Sequence, residues 1–137
     1  MIKILIVEAT MDRLTLVHMD LLSCEPILRR MPNGELLIIA QCGDVKEPAP
    51  GNRTYYFRST DNGDTWSRKQ SIYPEDGNAV YVTEVMVLGD EITAFLTTHN
   101  GNFVNWNCAC IKSHNNGYLW EAPQKIPVLN ITRLYGG

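Results

Sequence analysis

Three things are scarce in this chain. No run of apolar residues approaches the roughly 20 that a membrane-spanning helix needs, so no bilayer partner is expected. Charge of one sign is scarce too: 12 Lys and Arg against 15 Asp and Glu leave a net −3. Neither a phosphate backbone nor an anionic lipid surface has anything to hold, and no nucleic-acid partner is expected. Helical periodicity with matching caps is absent, which leaves β structure throughout. The four cysteines, Cys24, Cys42, Cys108 and Cys110, form no C-x-x-C pair, and the histidine spacing completes no zinc set. No metal and no cofactor are therefore expected. Cys108 and Cys110 lie two apart, so on a strand they share a face and act as small hydrophobes, with a disulfide as the other reading.

What is present is ordinary for a globular domain: 137 residues, 45% hydrophobic and 20% charged. Met1 to Val7 (MIKILIV) is too short for a signal-peptide apolar region and reads as a first strand. The compartment stays open. Asn52-Arg-Thr54 and Asn130-Ile-Thr132 fit the glycosylation sequon, which matters only in a secretory route.

The chain repeats itself. Ser59 to Trp66 reads STDNGDTW and Ser113 to Trp120 reads SHNNGYLW, 54 positions apart. Both fit Ser-x-[Asp/Asn]-x-Gly-x-x-Trp. Before the first come an extended stretch Pro26 to Met31, a turn at Pro32-Asn33-Gly34, and a strand Glu35 to Gln41. Before the second come Val82 to Leu88, a turn at Gly89-Asp90, and a strand Glu91 to Thr98. Thr54 to Arg58 and Asn107 to Lys112 read as third strands. Thr65 to Tyr73 and Leu119 to Ile126 read as fourth strands, closed by Pro74 and Pro127. Four antiparallel strands per repeat is the pattern of a β-propeller blade.

The expected fold is therefore all-β, about two blades of a propeller. Residues 1–21 form a strand segment of a neighbouring blade, 22–75 and 76–128 are the blades, and 129–137 begin a further one. Two blades leave apolar faces and open edges. A fragment of a longer protein is one explanation; self-association of copies to cover those faces is the other.

The turn itself has readable chemistry. Asp61 accepts from following backbone amides, Gly63 takes a positive φ, Ser59 bonds locally, and Trp66 tucks against the blade. In the second copy Ser113, Asn115, Gly117 and Trp120 take the same places, with Asn115 lacking the charge. His114 holds a variable, exposed position. On these residues the chain resembles the sialidase-like, BNR or Asp-box family of propellers over about 22–137. The resemblance implies a six-bladed ring and marks these turns as scaffold rather than active site.

Blade geometry then locates the pocket. Strand direction alternates, so the start of strand one and the loop joining strands two and three share a face, opposite the Asp-box turns. That nominates Ser23 to Pro26, Gln41 to Arg53, Val82 to Glu84, and His99 to Trp106. Glu25, Asp44, Glu84 and His99 are the candidate catalytic residues, since paired carboxylates are what glycoside cleavage needs. Arg53, Asn102, Trp106 and Arg133 are the candidate substrate-binding residues, with Tyr81 as a second stacking surface. Each has a plainer reading: Glu25 and Glu84 as solvated strand ends, His99 as a turn cap, Trp106 as packing, Asp44 and Glu47 as surface charges.

The resemblance also marks departures. Family sialidases begin a first blade with Arg-Ile-Pro, whose Arg binds the sialic acid carboxylate; here Cys24-Glu25-Pro26 stands there. A second family Arg matches Gln41-Cys42-Gly43, and Asp44 is the match for the acid/base Asp. The expectation is a carbohydrate-active relative, a glycoside hydrolase when complete, acting on neutral or differently charged sugars. A non-catalytic glycan- or protein-binding propeller, or an inactive fragment, are the alternatives.

Overall fold

A computed structural model of the chain describes residues 3–10 and 13–127, with side chains from Leu14 onward. Ten strands follow in order: β1 Lys3–Thr10, β2 Arg13–Asp20, β3 Ser23–Arg30, β4 Leu36–Cys42, β5 Arg53–Ser59, β6 Gln70–Ser71, β7 Ala79–Leu88, β8 Glu91–His99, β9 Asn107–Ser113 and β10 Gln124–Ile126. β1 and β2 form a hairpin. The rest form two four-stranded antiparallel meanders, β3-β4-β5-β6 and β7-β8-β9-β10.

The sheets stack front to back, and side-chain parity shows how. Leu36 to Cys42 is buried along almost its whole length, as a strand covered on both faces must be. Its odd positions, Leu37 and Ile39, join Tyr56 and Ile72 against Val80, Val82, Val85, Ile92 and Leu96 of the second sheet. Its even positions, Ile38, Ala40 and Cys42, join Phe57 and meet Val17 of the hairpin. Each fully buried Leu, Ile or Phe stabilises the stack by about 1.5–3 kcal/mol. Burial also pushes the Cys42 thiol up to about 11, so it stays a protonated core residue.

Strand boundaries differ from the sequence expectation at both ends of each sheet. The first strands begin at Ser23 and Ala79, three residues early, because each carries a bulge: between Cys24 and Ile27, and between Val82 and Glu84. The fourth strands shrink to two and three residues. After each Trp the chain is held beside the third strand by Ser67 N–H to Arg58 O together with Arg58 N–H to Ser67 Oγ, or by Glu121 N–H to Lys112 O. Pro123 then has no N–H to give to a ladder.

The two Ser-to-Trp turns share three bonds, and the Thr65 hydroxyl adds one to Asp61 that Leu119 cannot make. The Ser59 hydroxyl donates to Asp61 Oδ1 at 2.8 Å and accepts from Gly63 N–H, while Thr65 N–H donates to Asp61. Ser113, Asn115, Gly117 and Leu119 repeat this at 3.0, 2.9 and 2.9 Å. Asn62 and Asn116 take left-handed φ before the glycines. The tryptophans differ: Trp66 Nε1–H donates to Gly63 O, whereas Trp120 packs between the sheets on Tyr56 with no partner for its Nε1 among the described residues.

The second turn is latched to the first sheet. Arg58 bonds Glu35 at 2.6 Å and Asn116 O at 2.7 Å, and its guanidinium lies 3.7 Å above the Tyr118 ring. Tyr118 Oη in turn donates to Glu35. Burial works to raise the Glu35 carboxyl, but bonds from Tyr118, Asn33 and Arg58 outweigh it and hold it below the usual range.

Candidate functional site

The end of the sheets opposite those turns carries most of the left-handed non-glycine residues among those described. Among the described residues six non-glycines have positive φ, and two of them, Asn62 and Asn116, belong to the turns. The other four are Glu25 (53°), Asp44 (62°), Phe103 (58°) and Asn105 (58°). All four fall on the segments nominated as the pocket face. A bulky residue such as Phe103 holds this conformation only where its surroundings over-determine it.

Those surroundings are two interlocked loops. In the β4–β5 loop, the buried Asn52 side chain donates to the carbonyls of Gly43 and Lys46 and accepts from Ala49 N–H. Its amide is fully enclosed, so the first sequon offers no glycan acceptor in the folded chain; Asn130 lies outside the described residues. In the β8–β9 loop, His99 is the hub. It is 1% exposed, and its Nδ1 accepts from Gly101 N–H at 2.9 Å and Phe103 N–H at 3.2 Å.

That pairing settles the histidine's chemistry. With Nδ1 accepting twice, the proton sits on Nε2, which has no partner among the described residues. Burial pulls the His99 pKa down, against the Glu47 carboxylate, so the ring is neutral. Around it stand Tyr81 (centroids 5.0 Å apart), Phe103 (5.1 Å) and Trp106 (4.6 Å). Phe103 and Trp106 lie parallel within 7°, each nearly half exposed, and Trp106 Nε1–H donates to Phe103 O.

Beside this aromatic wall lie other buried polar groups. Both amide atoms of Gln41 and the Tyr81 hydroxyl are fully buried there, whereas the Ser23 hydroxyl sits on the other face of the sheet beside Cys42. Glu47 and Gln41 are the neighbours of the Tyr81 hydroxyl, and burial, then Glu47, pushes that phenol far up. It is a neutral donor, not a phenolate. Buried polar atoms normally find partners, and here the Gln41 amide, the Tyr81 hydroxyl and His99 Nε2 gather behind the aromatic wall with few bonds between them.

The expected site residues do not all meet here. Glu84 is level with Ile27 rather than Glu25, because register pairs Ile27 with Ile39 and Glu84 with the corresponding Phe95. It bonds Arg29 at 2.6 Å, lining a groove of about 440 Å³ with Met86 and Phe95. Arg53 is buried and spent. It pairs with Glu75 and Asp76 and donates to the carbonyls of Tyr73, Pro74 and Asn78, fixing the inter-sheet connection instead of facing a ligand. Asp44 is exposed and caps Val45 N–H; Asn102 is exposed beside Asn100. Arg133 lies outside the described residues. Gln41 and Phe103 carry the site more than sequence reasoning gave them. Among the described residues no group of three His, Cys, Asp or Glu is placed to hold a metal.

The architecture is all-β, two four-stranded antiparallel propeller blades behind a hairpin, and its class is sialidase-like in fold. Seven solved chains match it. One, "Hadza microbial sialidase Hz136", superposes with a TM-score of 0.63 at 20% identity, over 81% of this chain and 26% of that one. The chain thus spans about a quarter of that sialidase's length. No protein-family model matches the chain, and no curated protein does.

Proposed function

We propose that this chain is part of a carbohydrate-active propeller that hydrolyses glycosides of neutral sugars. In this reading residues 22–75 and 76–128 are two blades of a larger ring and the two Ser-to-Trp turns are its Asp boxes. The observation that carries it is the set of neutral, buried polar groups on Gln41, Tyr81 and His99 beside the Phe103–Trp106 wall. Such groups exchange bonds with sugar hydroxyls, and an aromatic face packs on the apolar side of a pyranose.

The same groups argue against a carboxylated sugar. Arg53 is occupied by acids and carbonyls, His99 is held neutral, and Glu25, Asp44 and Glu47 add negative charge on this face. A sialic carboxylate would meet acids and no free guanidinium among these groups. Glu25, Asp44 and Glu47 supply the candidate acid and base, in place of Glu84.

The test is ligand-observed NMR with neutral oligosaccharides and their sialylated counterparts, followed by product analysis after long incubation. Saturation transfer from neutral glycans, lost in Trp106→Ala, is the expected result. Preference for the sialylated series would overturn the neutral-sugar assignment. Binding without products would favour a non-catalytic lectin-like role.

A further inference from the structure

Register makes the two sheets comparable position by position. Leu37 pairs with Arg58 and Ile39 with Tyr56 in the first sheet; Thr93 pairs with Lys112 and Phe95 with Cys110 in the second. The first set forms the front of its sheet and is buried under the second sheet. The second set is the front of the last sheet. There Phe95, Cys108 and Cys110 are only partly buried, with no further sheet over them among the described residues. Even the ion pair repeats, Glu91 with Lys112 at 2.8 Å standing where Glu35 with Arg58 receives the second turn.

The opposite end of the stack shows the complementary surface. Val17 and His18 of the hairpin pack on the back of the first sheet. Leu14, Leu16 and Met19 remain 70%, 56% and 56% exposed. An apolar front at one end and an apolar strip at the other are what front-to-back stacking inside the chain already joins twice. Apolar side chains left open on a sheet face, as on the hairpin strip, are candidates for contact with another surface.

We infer that the front of the second sheet docks a second copy of this chain through that copy's hairpin strip at Leu14 and Leu16. The contact is heterologous, head to tail, and repeats from copy to copy until a ring closes. Phe95 and Cys110 form its centre, and Lys112 is its polar rim.

The test is sedimentation velocity of the whole chain from low to high micromolar concentration, with two variants that each spoil one face. Wild type is expected to associate with rising concentration. Phe95→Lys alone and Leu16→Lys alone are expected to stay monomeric, while their mixture forms dimers and stops there, since each brings one intact face. A wild-type chain monomeric throughout, or a mixture that fails to dimerise while wild type associates, overturns the inference. Alkylation of wild-type Cys110 gives a readout free of substitution. Its rate should fall several-fold on concentration, and a concentration-independent rate also overturns the inference.

Discussion

Gly101 of the second sheet's loop meets Pro50 of the first sheet's loop. With φ at +91°, a Cβ on Gly101 would lie 2.6 Å from Cδ of Pro50. The contact joins the β4–β5 loop, carrying Asp44 and Glu47, to the β8–β9 loop, carrying His99 and Trp106. Their relative placement is thus fixed by backbone against a rigid ring.

Gly101→Ala is therefore expected to lose roughly 2–4 kcal/mol, from left-handed strain and overpacking together. Pro50 has no flexible end to withdraw. Urea unfolding checks the stability, and Trp106 fluorescence checks the loop. A variant as stable as wild type would mean the two loops move apart freely.

Asp61 and Asn115 fill the same place in the two turns but respond differently to acid. Bonds from the Thr65 side chain, the Thr65 amide and Ser59 hold the Asp61 carboxyl down at about 2, against an ordinary 3.8. A depressed carboxyl contributes stability that is complete above its unfolded pKa and lost as pH falls through the folded one. The first turn should hence loosen between about pH 4 and pH 2. The second, with an amide that does not titrate, should not. Amide shifts of Thr65 and Leu119 followed by NMR would show a titration at Thr65 and none at Leu119.

These contrasts explain what the sequence alone made visible. The turn motif is local: Ser, Asp or Asn, Gly and Trp within eight residues bond to one another, so their spacing announces them. Chain direction in an antiparallel meander is local too, and it put the β4–β5 and β8–β9 loops at the end of the sheets away from those turns. What stayed hidden depends on partners far along the chain. A bulge shifts register, so Glu84 falls level with Ile27 and finds Arg29, 55 positions away. Arg53 is consumed by residues 73–78, which nothing in its neighbours along the third strand announces. The left-handed Phe103 follows from bonds to a histidine four positions earlier.

Arg58 bridges the blades by three contacts at once: Glu35, Asn116 O and the Tyr118 ring. Arg58→Ala would strand a half-buried carboxylate and cut the latch. A loss of about 2–4 kcal/mol is expected, somewhat below the cost of breaking a fully buried pair because Glu35 keeps some solvent. Arg58→Lys should recover part of it, as Lys112 serves the equivalent place in the second sheet, but a point charge cannot serve all three partners. Thermal unfolding of the three proteins orders them, wild type highest and Ala lowest. An equal Tm for Lys and wild type would reduce the latch to charge alone.

His99 gives the sharpest dependence on pH. Its folded pKa is depressed by burial, so the unfolded chain takes up a proton near pH 6.5 that the folded chain resists. Stability from this group is complete above about pH 6.5 and declines as pH drops below it, until the folded pKa is passed. The useful quantity is therefore a difference between wild type and a variant that lacks this ring. His99→Asn places an amide oxygen near the position of Nδ1, keeps an acceptor for Gly101 and Phe103, and removes the titration. The variant should be less stable than wild type at pH 7.5 by about 1–3 kcal/mol, for lost ring packing under Trp106. That gap should narrow at pH 5.5, because only wild type carries the protonation penalty. Urea midpoints at the two pH values measure it. A gap that stays constant or widens would mean that the His99 ring takes its proton without leaving the loop.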